Sequence, residues 1–171
     1  MEPLFQSGLE YRIPIYIAFG LVCEVLFTGI YDLARPDFLK SWNVFSNLPQ
    51  ANIPDWRKCR DVRAVGYTFL WMLPIYALLC LVEPLVLVLA PFPFYVRGLI
   101  YALCVWVFEY VGGWLMKKIS GQIPWDYSLS KTQIHGLIRL DFLPYWFAFG
   151  LSAEWLVKKM LILTPYLKQV L

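Results

Sequence analysis

Four long apolar runs dominate the hydrophobic pattern of the chain. They cover residues 13–33, 65–90, 94–116 and 136–160. Each run has about the 20 residues that a helix needs to cross a bilayer. The runs are continuous rather than alternating at every second residue, which excludes the strands of a membrane barrel. Because a helix satisfies its own backbone polar groups in lipid, the pattern predicts an all-α polytopic membrane protein, a bundle of four transmembrane helices that forms one membrane domain over residues 1–171.

The composition changes this picture little. Hydrophobic residues make up 60% of the chain and charged residues 16%, whereas soluble domains are about 45–50% apolar and about 25% charged. The net charge of +3 is small and the basic residues are spread along the chain, which argues against a nucleic-acid partner. We therefore expect a multi-pass integral membrane protein whose constant partners are membrane lipids.

The polar segments between the runs indicate an orientation. Of the 15 lysines and arginines, ten flank the first and third loops and the start of the fourth run, and five lie on the other side. The excess of positive charge on cytoplasmic loops places both termini away from the cytoplasm. In the first loop, residues 34–64, the aromatic residues Trp42, Phe45 and Trp56 alternate with basic residues, which predicts a segment at the lipid interface.

Each of the four runs carries one glutamate. These are Glu24, Glu83, Glu109 and Glu154. A charged side chain at the centre of a membrane helix costs about 2.5–3.5 kcal/mol, so such residues usually face the interior of a bundle. Glu24 and Glu109 lie deepest, and both have small residues three or four positions away, which predicts that both point inward. Glu83 and Glu154 lie nearer a membrane surface, where we expect ion pairs with Arg97 and Lys158 respectively.

The fourth run has a polar face of its own. Trp146, Gly150, Glu154 and Lys158 follow one another at four-residue intervals, so a helix places them on one side. On a helical wheel Arg139 lies within about 60° of Glu154. Asp141 falls on the opposite side, where it is a candidate partner for Arg139 or His135.

Three stretches together resemble a known family. They are CEVLFT (23–28), FEYVGGWLMKKISGQIPWDYS (108–128) and GLIRLDFLPYWFAFGLSAEWLV (136–157). They resemble the transmembrane protein 229 family, whose bacterial relatives are grouped as putative ABC-transporter type IV, or CmpB-like, proteins. The likeness covers the first run and the chain from about Arg97 to Met160. It implies that seven residues occupy family motif positions: Glu24, Glu109, Trp125, Asp126, Tyr127, Trp146 and Glu154. Asp141 stands where the resemblance leads us to expect glutamate, and Arg139 is a charge it does not lead us to expect.

The PWDYS stretch allows two interpretations. In the first it is a rigid interfacial loop in which Trp125 and Tyr127 lie at the membrane surface and Asp126 caps backbone amides. In the second Asp126 reaches a polar cavity that contains Glu109. Spacing alone does not choose between them.

The chemistry-bearing residues favour a non-enzymatic role. No nucleophile stands beside a base, no CxxC pair occurs and His135 is the one histidine, so we predict no catalytic residue, metal site or cofactor. The sequence also lacks the GxxxxGK[ST] phosphate cradle, so an ABC transporter would contain this chain as one subunit at most.

We expect the protein to bind or move a small solute, ion or lipid, or to act as a subunit of a membrane complex, with a second copy or another membrane protein as partner. The candidate ligand-binding or proton-binding residues are Glu24, Glu109, Asp126, Glu154 and Arg139, and the motif and interface residues are Trp125, Tyr127 and Trp146. One alternative is an intramembrane lipid-modifying enzyme that uses carboxylate acid–base chemistry. Another is a purely structural role, in which neutral glutamates join helices by hydrogen bonds.

Overall fold

The computed structural model describes residues 8–34, 66–123 and 125–170. Within these ranges, five α-helices and one short hairpin follow one another. They are α1 (Leu9–Ala34), α2 (Met72–Ala77), α3 (Glu83–Leu89), α4 (Phe94–Ser120), β1 (Gln133–Ile134), β2 (Ile138–Arg139) and α5 (Leu143–Val170), with 3-10 turns at Leu78–Val82 and Leu140–Phe142. The fold is therefore nearly all-α, as predicted. The predicted interfacial residues Trp42, Phe45 and Trp56 lie outside the described residues, as does Cys59, so the interpretation of the first loop stays a prediction.

Three stretches of the described helices are long and apolar enough to cross a membrane. They are Leu9–Tyr31, Met72–Leu89 and Phe94–Ser120. The last helix, α5, is 28 residues long but carries Glu154, Lys158 and Lys159 in its middle. A bundle of four spanning helices therefore remains a prediction, whereas three membrane-capable segments are a finding.

The second apolar run is one span made of three pieces. Residues 66–71 are not helical, so the predicted start at residue 65 is wrong. The run then forms α2, the 3-10 turn Leu78–Val82, and α3. Pro84 explains the break, because proline has no N–H to donate and its ring clashes with the carbonyl four residues earlier in a regular α-helix. The tighter turn lets the chain continue through this position.

The predicted fourth span, 136–160, is wrong at its start. Its first seven residues belong to the hairpin and to the second 3-10 turn, and α5 begins only at Leu143. Strands β1 and β2 pair antiparallel, with Ile134 opposite Ile138. At the turn, His135 and Gly136 have φ values of 53° and 73°, the left-handed pair that a type I′ hairpin turn requires. Leu137 and Ile138 are buried, which explains why the apolar pattern continues through the hairpin.

The chain divides into two compact units. The first unit falls within Met1–Leu21, Leu70–Trp106 and Phe142–Leu171, and the second within Val22–Phe69 and Val107–Asp141. In the first unit α3 packs on α5 around a core of six buried residues: Tyr16, Val86, Leu89, Tyr101, Val157 and Met160. In the second unit the hairpin packs against α4, and the side chain of Leu137 lies over Gly113. Helices α1 and α4 contribute residues to both units.

Candidate functional site

Glu83 forms a fully buried ion pair in the first unit. Arg12 donates from Nε to Oε1 at 2.7 Å and from Nη2 to Oε2 at 3.0 Å, and both side chains are 0% exposed. The Tyr16 hydroxyl donates to Oε1 at 2.7 Å, and Arg12 Nη1 also donates to Thr164 Oγ1 at 3.3 Å. The predicted pairing of Glu83 with Arg97 near the membrane surface is therefore wrong. The pattern missed Arg12 because its partner lies 71 residues away.

Glu154 also contacts cations in the first unit. Arg97 Nε donates to its Oε2 at 2.8 Å, and Lys158, one turn further along α5, donates to its Oε1. The predicted contact with Lys158 is thus confirmed. One turn before Glu154, a Cβ built on Gly150 would lie 2.3 Å from the Cβ of Tyr101, so only glycine allows α4 and α5 to approach this closely.

Trp146 lies at an aromatic cluster in the first unit. Its ring is 4.8 Å from that of Tyr145, 6.0 Å from that of Phe149 and 6.2 Å from that of Phe142, each pair edge to face. Edge-to-face contacts of this kind stabilise packing by about 0.5–1.5 kcal/mol each. Trp146, which the resemblance placed at a motif position, thus contributes to the aromatic packing around the start of α5.

Glu24 is held by a threonine from the segment after the first loop. In the second unit, Thr68 Oγ1 donates to Glu24 Oε2 at 2.6 Å. Thr28, one turn along α1, accepts from the Tyr67 amide at 2.8 Å and donates to the Glu24 carbonyl at 2.9 Å. The chain can approach α1 here because Gly66 has no side chain. A Cβ at this position would lie 2.0 Å from the carbonyl oxygen of Val25.

Glu109, on α4, is held by the loop that follows the helix. The Tyr127 hydroxyl donates to Glu109 Oε1 at 3.1 Å, and Glu109 is only 7% exposed. The indole of Trp125 lies over Gly112 and Gly113, one turn beyond Glu109. Its Nε1 donates to the Leu137 carbonyl at 3.1 Å, which fixes the loop to the hairpin. Residues 125–127 therefore lie back along α4.

The charges of both inner glutamates act on Tyr127. Burial raises the pKa of Tyr127 well above its ordinary value, and the negative charges of Glu109 and then Glu24 raise it further. The prediction that Glu24 and Glu109 point inward agrees with their low exposure, 9% and 7%.

Asp126 contributes to the loop itself. Its Oδ1 accepts from the Ser128 amide at 2.9 Å, the local turn that aspartate commonly forms. The neighbouring amide of Tyr127 donates to the Gly136 carbonyl at 2.9 Å, which joins the loop to the hairpin turn. Of the PWDYS side chains, Tyr127 is therefore the one that donates to Glu109. A ligand-binding role of Asp126 stays a prediction.

Arg139 pairs with Asp141, one of the two partners predicted for this aspartate. Its Nε lies 3.0 Å from Asp141 Oδ1 and its Nη2 lies 2.6 Å from Oδ2. Burial alone would raise the pKa of Asp141, but hydrogen bonds from Arg139 and Thr132 outweigh it and the pKa is lowered. Since Arg139 lies in β2 and not in a helix, the helical-wheel placement of Arg139 beside Glu154 is wrong.

The four glutamates thus divide two and two between the units, Glu83 and Glu154 in the first, Glu24 and Glu109 in the second. The sequence reasoning missed Arg12, Tyr16 and Thr68. The four-residue spacing of Arg12 and Tyr16 on one face of α1 was a signal for the first two, whereas Thr68 gave none. Among the described residues, no three His, Cys, Asp or Glu side chains are grouped so that they could hold a metal ion.

Comparison with known proteins adds a family. Residues 56–169 match the family described as "Putative ABC-transporter type IV". The match covers Glu83, Glu109 and Glu154, extends through the second apolar run and most of α5, and leaves out Glu24. No solved structure matches the chain. Since the match covers more than half of the chain and three segments are able to span a membrane, the chain is a multi-pass membrane protein that belongs to the putative ABC-transporter type IV family.

Proposed function

We propose that the protein is the membrane subunit of a transport system, in which Glu24 and Glu109 bind and release a proton or a small cation while a small solute or ion crosses the membrane. One observation carries this proposal. Two buried carboxylates on different helices, Glu24 and Glu109, each accept a hydrogen bond from a hydroxyl group, that of Thr68 and that of Tyr127 respectively. Ionisable residues inside membrane domains commonly mark ion or proton pathways.

The hydroxyl groups at these glutamates suit a group that changes its charge. A hydroxyl donates a hydrogen bond to a carboxylate and accepts one from a protonated carboxyl group. Thr68 at Glu24 and Tyr127 at Glu109 are therefore able to satisfy either protonation state without moving far. The release of a proton or cation then leaves the carboxylate with a donor already in place.

The first unit supports the assignment by contrast. Arg12 contacts Glu83 at two points, and charge-assisted hydrogen bonds of this kind are roughly twice as strong as neutral ones. Glu154 contacts two cations. These two glutamates are suited to holding helices together.

The family assignment makes an assembly part of the proposal. ABC transport needs an ATPase, and the sequence carries no phosphate cradle of the GxxxxGK[ST] type. We therefore place the ATPase on another chain of the complex. The finer likeness to the transmembrane protein 229 family, which Glu24 and the PWDYS stretch carry, belongs to this proposal as well.

Proton flux into proteoliposomes tests the proposal. Vesicles that contain the purified protein and the pH-sensitive dye pyranine receive an outward potassium gradient with valinomycin and an acid pulse. We expect flux above that of empty vesicles, and an at least tenfold loss of it in Glu24→Gln and in Glu109→Gln. Glu10→Gln is the matched control, because Glu10 is an exposed glutamate of the same helix as Glu24. Wild-type flux in both inner variants, or none in the wild type, would refute proton movement through this site.

Native mass spectrometry of the same proteins addresses the cargo. We expect a bound species in the wild type and in Glu10→Gln that both inner substitutions release. Its mass distinguishes a small solute from a phospholipid. A species retained in both inner variants would place binding elsewhere in the chain.

A further inference from the structure

The hairpin lies beside the apolar part of α4 rather than beyond its end. Tyr110 OH and His135 Nδ1 form a hydrogen bond of 2.8 Å, so the hairpin turn is level with Tyr110. Lys117 and Lys118, both exposed, mark the polar end of α4. Tyr110 precedes Lys117 by seven residues, which corresponds to about 10 Å along the helix axis. The chain therefore leaves α4, turns back and returns along it.

The length of α4 places this level within the hydrocarbon core. The helix has 27 residues, about 40 Å, against a core about 30 Å thick. The helix is thus about 10 Å longer than the core is thick. Even if all of this extra length lay outside the core at the Lys117 end, the core would still contain about 20 residues, from Phe94 to Gly113. Tyr110, and with it the hairpin turn, lies inside that stretch.

A non-helical segment at this depth is unfavourable where it faces lipid. Non-helical backbone at membrane depth occurs where it is buried in protein or lines a water-filled cavity. One side of the hairpin meets the first condition, since Trp125, Tyr127, Leu137 and Ile138 are buried. The other side is exposed and mainly polar. It presents Ser128, Lys131, Thr132 and His135 together with Leu129 and Ile134, and its polar groups suit water rather than acyl chains.

We propose that residues 125–139 form a re-entrant hairpin whose exposed side lines an aqueous path from the membrane surface at Lys117 to the level of Tyr110, the residue that follows Glu109 on α4. The hairpin thereby brings water, and the ions dissolved in it, to a carboxylate that α4 alone would place in lipid. The role of the path in supplying Glu109 rests on the proposed function. The re-entrant position of the hairpin is independent of that function, because it concerns only which residues are exposed to water.

Cysteine labelling tests the re-entrant position. Single cysteines replace His135, Val111 and Lys118 in turn, in a variant whose native cysteines Cys23, Cys59, Cys80 and Cys104 are changed to alanine. A charged methanethiosulfonate that does not enter lipid is added to both sides of proteoliposomes. Val111 is the matched control, since it follows Tyr110 on α4 and is 55% exposed at the same level. Lys118→Cys sets the rate for a thiol in free water.

We expect His135→Cys to react within tenfold of the Lys118→Cys rate and Val111→Cys to react at least 100-fold more slowly. A slow His135→Cys would overturn the aqueous side of the hairpin. A fast Val111→Cys would overturn the re-entrant position, because the whole region would then lie outside lipid. Ile134→Cys repeats the measurement one residue away, should a substitution at the positive φ of His135 impair folding.

Flux through labelled protein tests the path. In the pyranine assay we expect the cationic adduct at His135→Cys to lower proton flux at least fivefold, and the small neutral S-methyl adduct to lower it less than twofold. Unchanged flux after complete cationic labelling would overturn the path to Glu109. If unlabelled wild type showed no flux, the proposed function would fail, and the labelling rates would still decide the position of the hairpin.

Discussion

Glutamates of similar burial are held differently in the two units of the molecule. In the first unit arginine and lysine side chains contact Glu83 and Glu154. In the second unit threonine and tyrosine hydroxyls donate to Glu24 and Glu109. Our proposal assigns assembly to the first pair of glutamates and exchange to the second, so the described partners of a buried carboxylate carry more information than its burial does. The four glutamates look alike in the sequence, whereas the structure gives them different partners.

The largest expected effect comes from breaking the ion pair of the first unit. Glu83→Gln leaves the Arg12 guanidinium buried without its counter-charge, so we expect a loss of about 3–5 kcal/mol in unfolding free energy. The double variant Arg12→Met with Glu83→Leu removes both charges and should recover most of that loss. Unfolding in mixed micelles with increasing SDS measures both.

The same change in the second unit should be mild. Glu109→Gln keeps an acceptor for the Tyr127 hydroxyl, so we expect a loss of about 1 kcal/mol or less. Equal losses in Glu83→Gln and Glu109→Gln would remove the distinction between the units.

Glycine substitutions test how closely helices pack in each unit. Gly150→Ala places a methyl group 2.3 Å from the Cβ of Tyr101, an atom tied to the backbone, so we expect a loss of about 1–3 kcal/mol from overpacking. In Gly112→Ala the new methyl group would lie 3.8 Å from the Trp125 ring, an ordinary contact distance. The unfolding free energy should therefore stay unchanged or rise by up to about 1 kcal/mol through helix propensity. Thermal melts of the two variants, followed by circular dichroism, make the comparison. A stable Gly150→Ala would show that α4 and α5 separate easily.

Two tyrosines allow a matched test of hydroxyl function. Tyr127→Phe and Tyr16→Phe each remove one hydrogen bond to a glutamate, and each should lower stability by about 1 kcal/mol. Only Tyr127→Phe should lower proton flux, by about tenfold, because its hydroxyl donates to a carboxylate for which we propose charge exchange. The pyranine assay measures the flux of both. Equal losses of flux would indicate a shared structural cause.

The smallest expected effect concerns pH at the foot of α5. The pKa of Asp141 is lowered in the folded protein, so the pair with Arg139 stabilises the fold above the unfolded-state pKa, about 3.9, and this stability is lost as pH falls through the lower folded-state value. One third of the Asp141 side chain is exposed, and we therefore expect only about 1 kcal/mol at neutral pH. Melts of wild type and Asp141→Asn should differ at pH 7 and converge below about pH 4. A constant difference would contradict this assignment.

The apolar runs predicted helices α1 and α4 well. The predicted spans 13–33 and 94–116 correspond to Leu9–Ala34 and Phe94–Ser120, because lipid imposes both length and helicity. The fourth run misled for a physical reason. Buried strand residues such as Leu137 and Ile138 are as apolar as helix residues, and a short apolar stretch does not reveal its periodicity. The available signal in the sequence was the glycine at position 136, because glycine readily adopts the positive φ that the structure shows in this turn.

The site was predictable only in part. The inner position of Glu24 and Glu109 followed from the cost of charge in lipid, and Lys158 lay one turn from Glu154 along the same helix. The long-range pairs could not be predicted from the sequence. Arg12 and Glu83 are 71 residues apart and Glu24 and Thr68 are 44 apart, and no periodicity relates them.

The pairing of Arg12 with Glu83 has a consequence for biosynthesis. Arg12 is made 71 residues before Glu83, and at about 5–20 residues per second translation needs roughly 4–14 s to supply the partner. During that interval the nascent first helix carries a guanidinium that has no Glu83 to meet. Long basic side chains near a helix end reach back to the headgroups in such a situation. The first unit therefore completes this ion pair only after the second apolar run has been synthesised, so the order of synthesis sets the order of packing in this unit.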